Sequence, residues 1–147
     1  MFCEIRDRRA PASLVYEDER VLAFMDIRPI RRGQLLIVPR HHVDEFADLP
    51  DDLAAAAFMV GQRLARALRG VVSPKRVGMI VHGFGVPHAH LVVVPLEHPW
   101  DITAAQFARI EDGRLSFRWE EVPLADRRDL DDVAGRMRAE LAGRDDA

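Results

Sequence analysis

The chain has 147 residues, 48% of them hydrophobic and 31% charged, enough for one core and too apolar for a disordered chain. Its 21 basic and 24 acidic side chains leave a net charge of -3, which excludes the basic footprint of a duplex-binding protein but not a local phosphate site. Cys3 has no cysteine partner, the segment Met1 to Arg9 is charged from its fourth residue, and no apolar run reaches membrane-spanning length. These features predict one soluble, cytoplasmic domain over residues 1–147, without a nucleic-acid or membrane partner.

In chain order, Leu14 to Tyr16 and Val21 to Phe24 read as antiparallel strands joined by the polar stretch Glu17-Asp18-Glu19-Arg20. A basic loop with Arg28, Arg31 and Arg32 leads to a third strand, Leu35 to Val38, stopped by Pro39. Alanine and leucine at helical spacing predict a helix from Asp51 to Leu68, acidic in its first turn and capped by Gly70. Val77 to Val81 and Leu91 to Val94 read as two more strands around a turn at Gly83-Phe84-Gly85, the second closed by Pro95. Thr103 to Ile110 reads as a short helix and Leu115 to Trp119 as a short extended segment. Leu130, Val133, Met137 and Leu141 fall on one face of a C-terminal helix. Hairpins around one central helix predict an α+β fold with an antiparallel sheet of about five strands.

Chemistry concentrates in Val86-Pro87-His88-Ala89-His90-Leu91, where two histidines two apart at a strand start share a face. Such imidazoles serve as nucleophile, proton carrier or metal ligand, or simply as hydrogen-bonded strand residues. Ser13 and Ser73 have no glycine elbow, and Gly83-Phe84-Gly85 is too short for a phosphate-binding fingerprint.

The run Val86 to Pro95 resembles the signature of the histidine triad (HIT) hydrolases and transferases, in which three histidines alternate with apolar residues. Two upstream stretches extend the resemblance: Pro11 to Ile27 is similar to the family's first hairpin, and Gly33 to His42 to its Pro-Gly-His-x-Leu-Val-Ile-Pro-Lys-x-His stretch. It is strongest over residues 2–96 and leaves 111–147 as a C-terminal extension. The resemblance implies a HIT-like fold, a homodimer joined through the central helix and a sheet edge, and a purine nucleotide substrate attacked at its α-phosphate. His88 then takes the first triad position and His90 the second, the nucleophile's. Asp26 takes the position that holds the ribose hydroxyls, Phe2, Ile5, Phe24 and Ile27 those of the base slot, and His82 lies near a position often held by Asn.

Three departures accompany it. The third triad position is Val92, the turn before His88 lacks the usual Gly-Gln-x stretch, and Gln34 replaces a histidine after Gly33. His88, backbone N–H groups, His82 and His98 are the candidate donors to a phosphoryl group. Arg28, Arg31 and Arg32 could steer a polyphosphate, or form a solvated loop. Some bacterial relatives hold structural zinc, and Cys3, His42 and His88 match three of its four ligands, one short of a full set. No cofactor is therefore expected. Two functions compete: a nucleotide hydrolase or transferase working through His90, and a nucleotide-binding module whose catalysis Val92 has weakened.

Overall fold

The computed structural model describes residues 1–145. Five strands, β1 (Leu14–Glu17), β2 (Val21–Met25), β3 (Leu35–Pro39), β4 (Arg76–Ile80) and β5 (Leu91–Leu96), form an antiparallel sheet in the order β1-β2-β3-β5-β4. A short helix α1 (Phe2–Arg6) precedes them, α2 (Asp51–Val72) joins β3 to β4, and α3 (Arg127–Asp145) ends the described chain. The expected α+β architecture is present. Among the described residues, no helix is long and apolar enough to cross a membrane.

Strand alternation sorts the core into two layers. Ala23, Ile37, Leu91 and Val93 point to one face and pack against Leu64 and Leu68 of α2 and Leu130, Val133, Met137 and Leu141 of α3. Leu22, Phe24, Leu36, Val92 and Val94 point to the other face, where Phe2 and Ile5 of α1 cover them. The register aligns Phe24, Leu36, Val92 and Ile80 in one row across β2, β3, β5 and β4.

Several predicted boundaries move. α2 runs through Gly70 and ends at Ser73, which adopts the left-handed conformation at the C-cap. The glycine is thus interior to the helix and not its cap, and a Cβ there would meet only the movable Glu140 carboxylate of α3, at 2.8 Å. β5 runs through Pro95 to Leu96, with Pro95 opposite Val77. The predicted helix over 103–110 is instead two 3-10 turns, Pro99–Thr103 and Ala105–Phe107, followed by a hairpin of β6 (Ala108–Glu111) and β7 (Arg114–Phe117). Asp112 and Gly113, both at positive φ (50° and 74°), form its two-residue turn, the geometry that matches strand twist.

Candidate active site

β5 begins at Leu91, so His88 and His90 lie just before it, where the Ala89 N–H donates to the Val43 carbonyl at 2.7 Å. Both imidazoles still reach the same face, since the Phe2 ring meets His88 at 5.8 Å and His90 at 5.5 Å between centroids, edge-on in each case. Both histidines are buried.

Hydrogen bonding assigns the ring protons, because a carbonyl oxygen only accepts. His90 Nδ1 lies 2.8 Å from the His88 carbonyl and therefore carries the proton, leaving the Nε2 lone pair available. His88 Nε2 donates to the Pro39 carbonyl at 2.9 Å, which turns its Nδ1 lone pair toward Cys3 and His42. Burial lowers the basicity of His88; the Pro39 bond opposes this, and His42, Arg6 and His90 add to it. Burial, and next the neighbouring His90, lower the basicity of His82. The His82 ring stands edge-on to His90 with centroids 5.9 Å apart.

Cys3 Sγ, His42 Nδ1 and His88 Nδ1 converge on one point, with separations of 3.4 Å (Cys3–His42), 3.6 Å (Cys3–His88) and 3.4 Å (His42–His88). Donors on one face of a zinc tetrahedron lie about 3.4 Å (N to N) and about 3.6 Å (S to N) apart, given the usual bond lengths. The donor set therefore fits zinc, and the second-nitrogen bond from His88 to Pro39 is the support that metal-binding histidines normally receive. The structure brings together the three donors that the resemblance aligned.

The remaining expected residues divide. Phe2, Ile5 and Phe24 are closed inside the second apolar layer, while Ile27 is 43% exposed. Val92, 6% exposed, shares the His90 face but lies within that apolar layer. Asp26 follows β2 with both oxygens engaged: Oδ1 accepts the Arg28 N–H at 2.9 Å, and Oδ2 accepts the Gln34 side-chain amide at 2.7 Å. Buried Gln34 also accepts the Ile30 N–H through its own Oε1, at 3.0 Å, and so clips the 26–34 loop. Sequence reading gave Gln34 little weight; its position eight residues after an aspartate, across a Pro and Gly loop, was the available signal.

The basic loop is engaged in pairing. Arg31 binds buried Asp101 at 2.8 Å, Arg32 binds Asp129 at 2.6 Å, and Arg28 donates to the Val122 carbonyl. Burial alone would raise the Asp101 carboxyl, but the Arg31 guanidinium and the His98 and Glu97 N–H groups outweigh it and hold the carboxyl down at about 2. His98 stacks on Trp100 at 4.8 Å. Ser13 donates to Asp131 of α3, and Ser73 caps α2; neither takes part in the histidine cluster.

Comparisons with known proteins establish the family. The HIT domain matches residues 7–98. A HIT-like protein of Methanocaldococcus jannaschii is 50% identical over 136 residues, spanning 83% of this chain and 97% of that protein. The adenosine 5'-monophosphoramidase of Saccharomyces cerevisiae is 31% identical over 99 residues, 65% of this chain and 61% of that enzyme. The crystal structure of a Zn-bound histidine triad family protein from Mycobacterium smegmatis superposes with a TM-score of 0.74 at 30% identity, covering 99% of this chain and 94% of that one. With its paired histidines ahead of the last long strand and a domain match over most of its length, the chain belongs to the histidine triad (HIT) family.

Proposed function

We propose that the protein is a nucleotide hydrolase or transferase that acts at the α-phosphate of purine nucleotides through a nucleotidyl-histidine on His90. One observation carries this reading: the His90 ring is buried and held through Nδ1–H by the His88 carbonyl at 2.8 Å, which aims an unprotonated Nε2. The phosphoramidase activity named for the yeast relative supports it. In the first step Nε2 attacks the α-phosphorus, a P–N bond to His90 forms, and the bond to the leaving group breaks as that group takes a proton from solvent. Water then attacks the same phosphorus, the P–N bond breaks, and a nucleoside monophosphate leaves with His90 restored. In this reading Asp26, held by the Gln34 amide, accepts ribose hydroxyls through its remaining lone pairs, and the exposed Ile27 side chain meets the base. Intact-mass analysis during turnover of adenosine 5'-phosphoramidate should show an added adenylyl group that maps to His90. Turnover without an adduct on His90, together with full activity of His90→Gly, would refute the assignment.

A second reading rests on Val92, whose burial among apolar side chains leaves no donor at the third triad position. It is a nucleotide-binding module with weakened catalysis, and it predicts AMP binding with negligible phosphoramidate turnover.

When bound, zinc at Cys3, His42 and His88 would supply a structural clamp between α1, the segment after β3 and the start of the histidine pair. The zinc named for the mycobacterial relative supports this, and metal analysis of the purified protein tests it. The proposed assembly is a homodimer, with one domain per protomer. β4 is the sheet edge that α3 leaves uncovered, and Phe58 and Met59 on α2 are exposed.

A further inference from the structure

We propose that His82 supplies the hydrogen-bond donor to the phosphoryl oxygens that the valine at position 92 cannot give. The inference rests on the His90 reading above and extends it to a second side chain.

Two rings flank His90 edge-on, Phe2 at 5.5 Å and His82 at 5.9 Å. Phe2 is buried and His82 is exposed, so of these two flanks of His90 the one that meets solvent is that of His82. The loop that carries His82 fixes its ring. The Phe84 N–H donates to His82 Nδ1 at 3.3 Å, and the Phe84 ring stacks on the imidazole at 6.4 Å with the planes 19° apart. Because Nδ1 accepts, the neutral ring carries its proton on Nε2, a donor with no protein partner among the described residues. Partial desolvation of the imidazole and the neighbouring His90 lower the ring's basicity against a bond to its own backbone that raises it, and so favour the neutral ring.

Several other side chains considered for this role are engaged elsewhere. Arg31 and Arg32 pair with Asp101 and Asp129, Arg28 holds the Val122 carbonyl, and His98 stacks on Trp100. His42 faces Cys3 and His88. Val92 is buried with Phe2, Phe24 and Leu36. Charge on the nonbridging oxygens grows as His90 attacks, so an N–H aimed at them stabilises the transition state more than the ground state. The donor missing from the strand is thus replaced by a side chain from the loop beside His90.

The test compares four proteins, wild type, His82→Phe, His82→Gln and His90→Gly, with adenosine 5'-phosphoramidate as substrate. Phenylalanine keeps a flat ring for Phe84 to stack on but has no donor, whereas glutamine restores an N–H without the ring. Loss of one donor of this kind lowers kcat by roughly 10²-fold, with KM changing much less. We expect that loss in His82→Phe and recovery of most of it in His82→Gln. The ratio of AMP to adenosine affinity provides a second readout, one that loosened packing would leave alone. It should fall in His82→Phe and return in His82→Gln, with adenosine binding equal in all three.

If His82→Phe keeps wild-type kcat and the wild-type affinity ratio while His90→Gly is inactive, His82 is not the donor and the reading of His90 stands. If His82→Gln is no better than His82→Phe, the imidazole acts through packing and the proposal is overturned. A wild-type protein that neither turns over the phosphoramidate nor binds AMP better than adenosine overturns both readings together.

Discussion

The Arg31–Asp101 pair joins the loop carrying Asp26 to the 3-10 turn after β5, and its removal has a calculable cost. Asp101 is 1% exposed and accepts from Arg31 at 2.8 Å and from the backbone N–H groups of Glu97 and His98 at 2.8 and 2.9 Å. Its carboxyl is held at about 2 against an ordinary 3.8. At about 1.36 kcal/mol per pKa unit, this difference corresponds to about 2.5 kcal/mol of stability for the ionised form. Between these two values the unfolded chain binds a proton that the folded chain does not. The contribution is therefore complete above about pH 5 and is lost as pH falls from about 4 toward 2. Asp101→Asn should lower stability at pH 7 by about 2.5 kcal/mol, a fall in Tm of roughly 5–10 °C for a chain of this size. Its stability should also decline less steeply than wild type between pH 4 and 2. Arg31→Met should cost more, about 3–5 kcal/mol, because it leaves a buried carboxylate without its cation. Denaturant titrations from pH 7 to 2 measure both effects. Equal stability of Asp101→Asn and wild type at pH 7, with parallel pH dependence, would refute the reasoning.

Other predictions concern the site and the assembly. His90→Gly should remove nearly all phosphoramidate turnover with little change in Tm, as steady-state rates and thermal melts will show. Gln34→Leu deprives Asp26 of its 2.7 Å donor and leaves the Ile30 N–H unpaired; it should raise KM for nucleosides several-fold and cost about 1–3 kcal/mol in denaturant melts. Cys3→Ser should reduce bound zinc well below that of wild type, measured by elemental analysis on matched preparations. Phe58→Glu combined with Met59→Glu should shift the protein from dimer to monomer in sedimentation, without loss of helix signal.

The strands and the histidine pair were legible because their signals are local. Short continuous apolar runs marked β1 to β5, and two histidines two apart marked the candidate site. Their shared face survives although the strand begins only at Leu91, since the Phe2 ring touches both. Gly70 misled because a glycine near a helix end reads as a cap, whereas the helix continues to Val72 and Ser73 takes the left-handed position. The Gln34–Asp26 bond left only a faint trace, the Pro and Gly loop between the two residues, because a buried amide carries no periodicity and its partner is chosen by the loop's return path. The turn at Asp112-Gly113 was a missed local signal, flanked by strands too polar to announce themselves. Cys3, His42 and His88 could be grouped only by family likeness, as 85 residues separate the first from the last.

Helix α1 has five residues, far too few to persist alone in water, so its order depends on what its side chains touch. Phe2 touches His88 and His90, and Cys3 faces the His42 and His88 imidazoles. The amide protons of α1 therefore become a reporter. Their exchange with deuterium, fast whenever the helix lifts away, should slow when metal or nucleotide engages either neighbour. Occupancy of the two sites can then be followed separately by saturating one ligand at a time, without a chromophore or a catalytic assay.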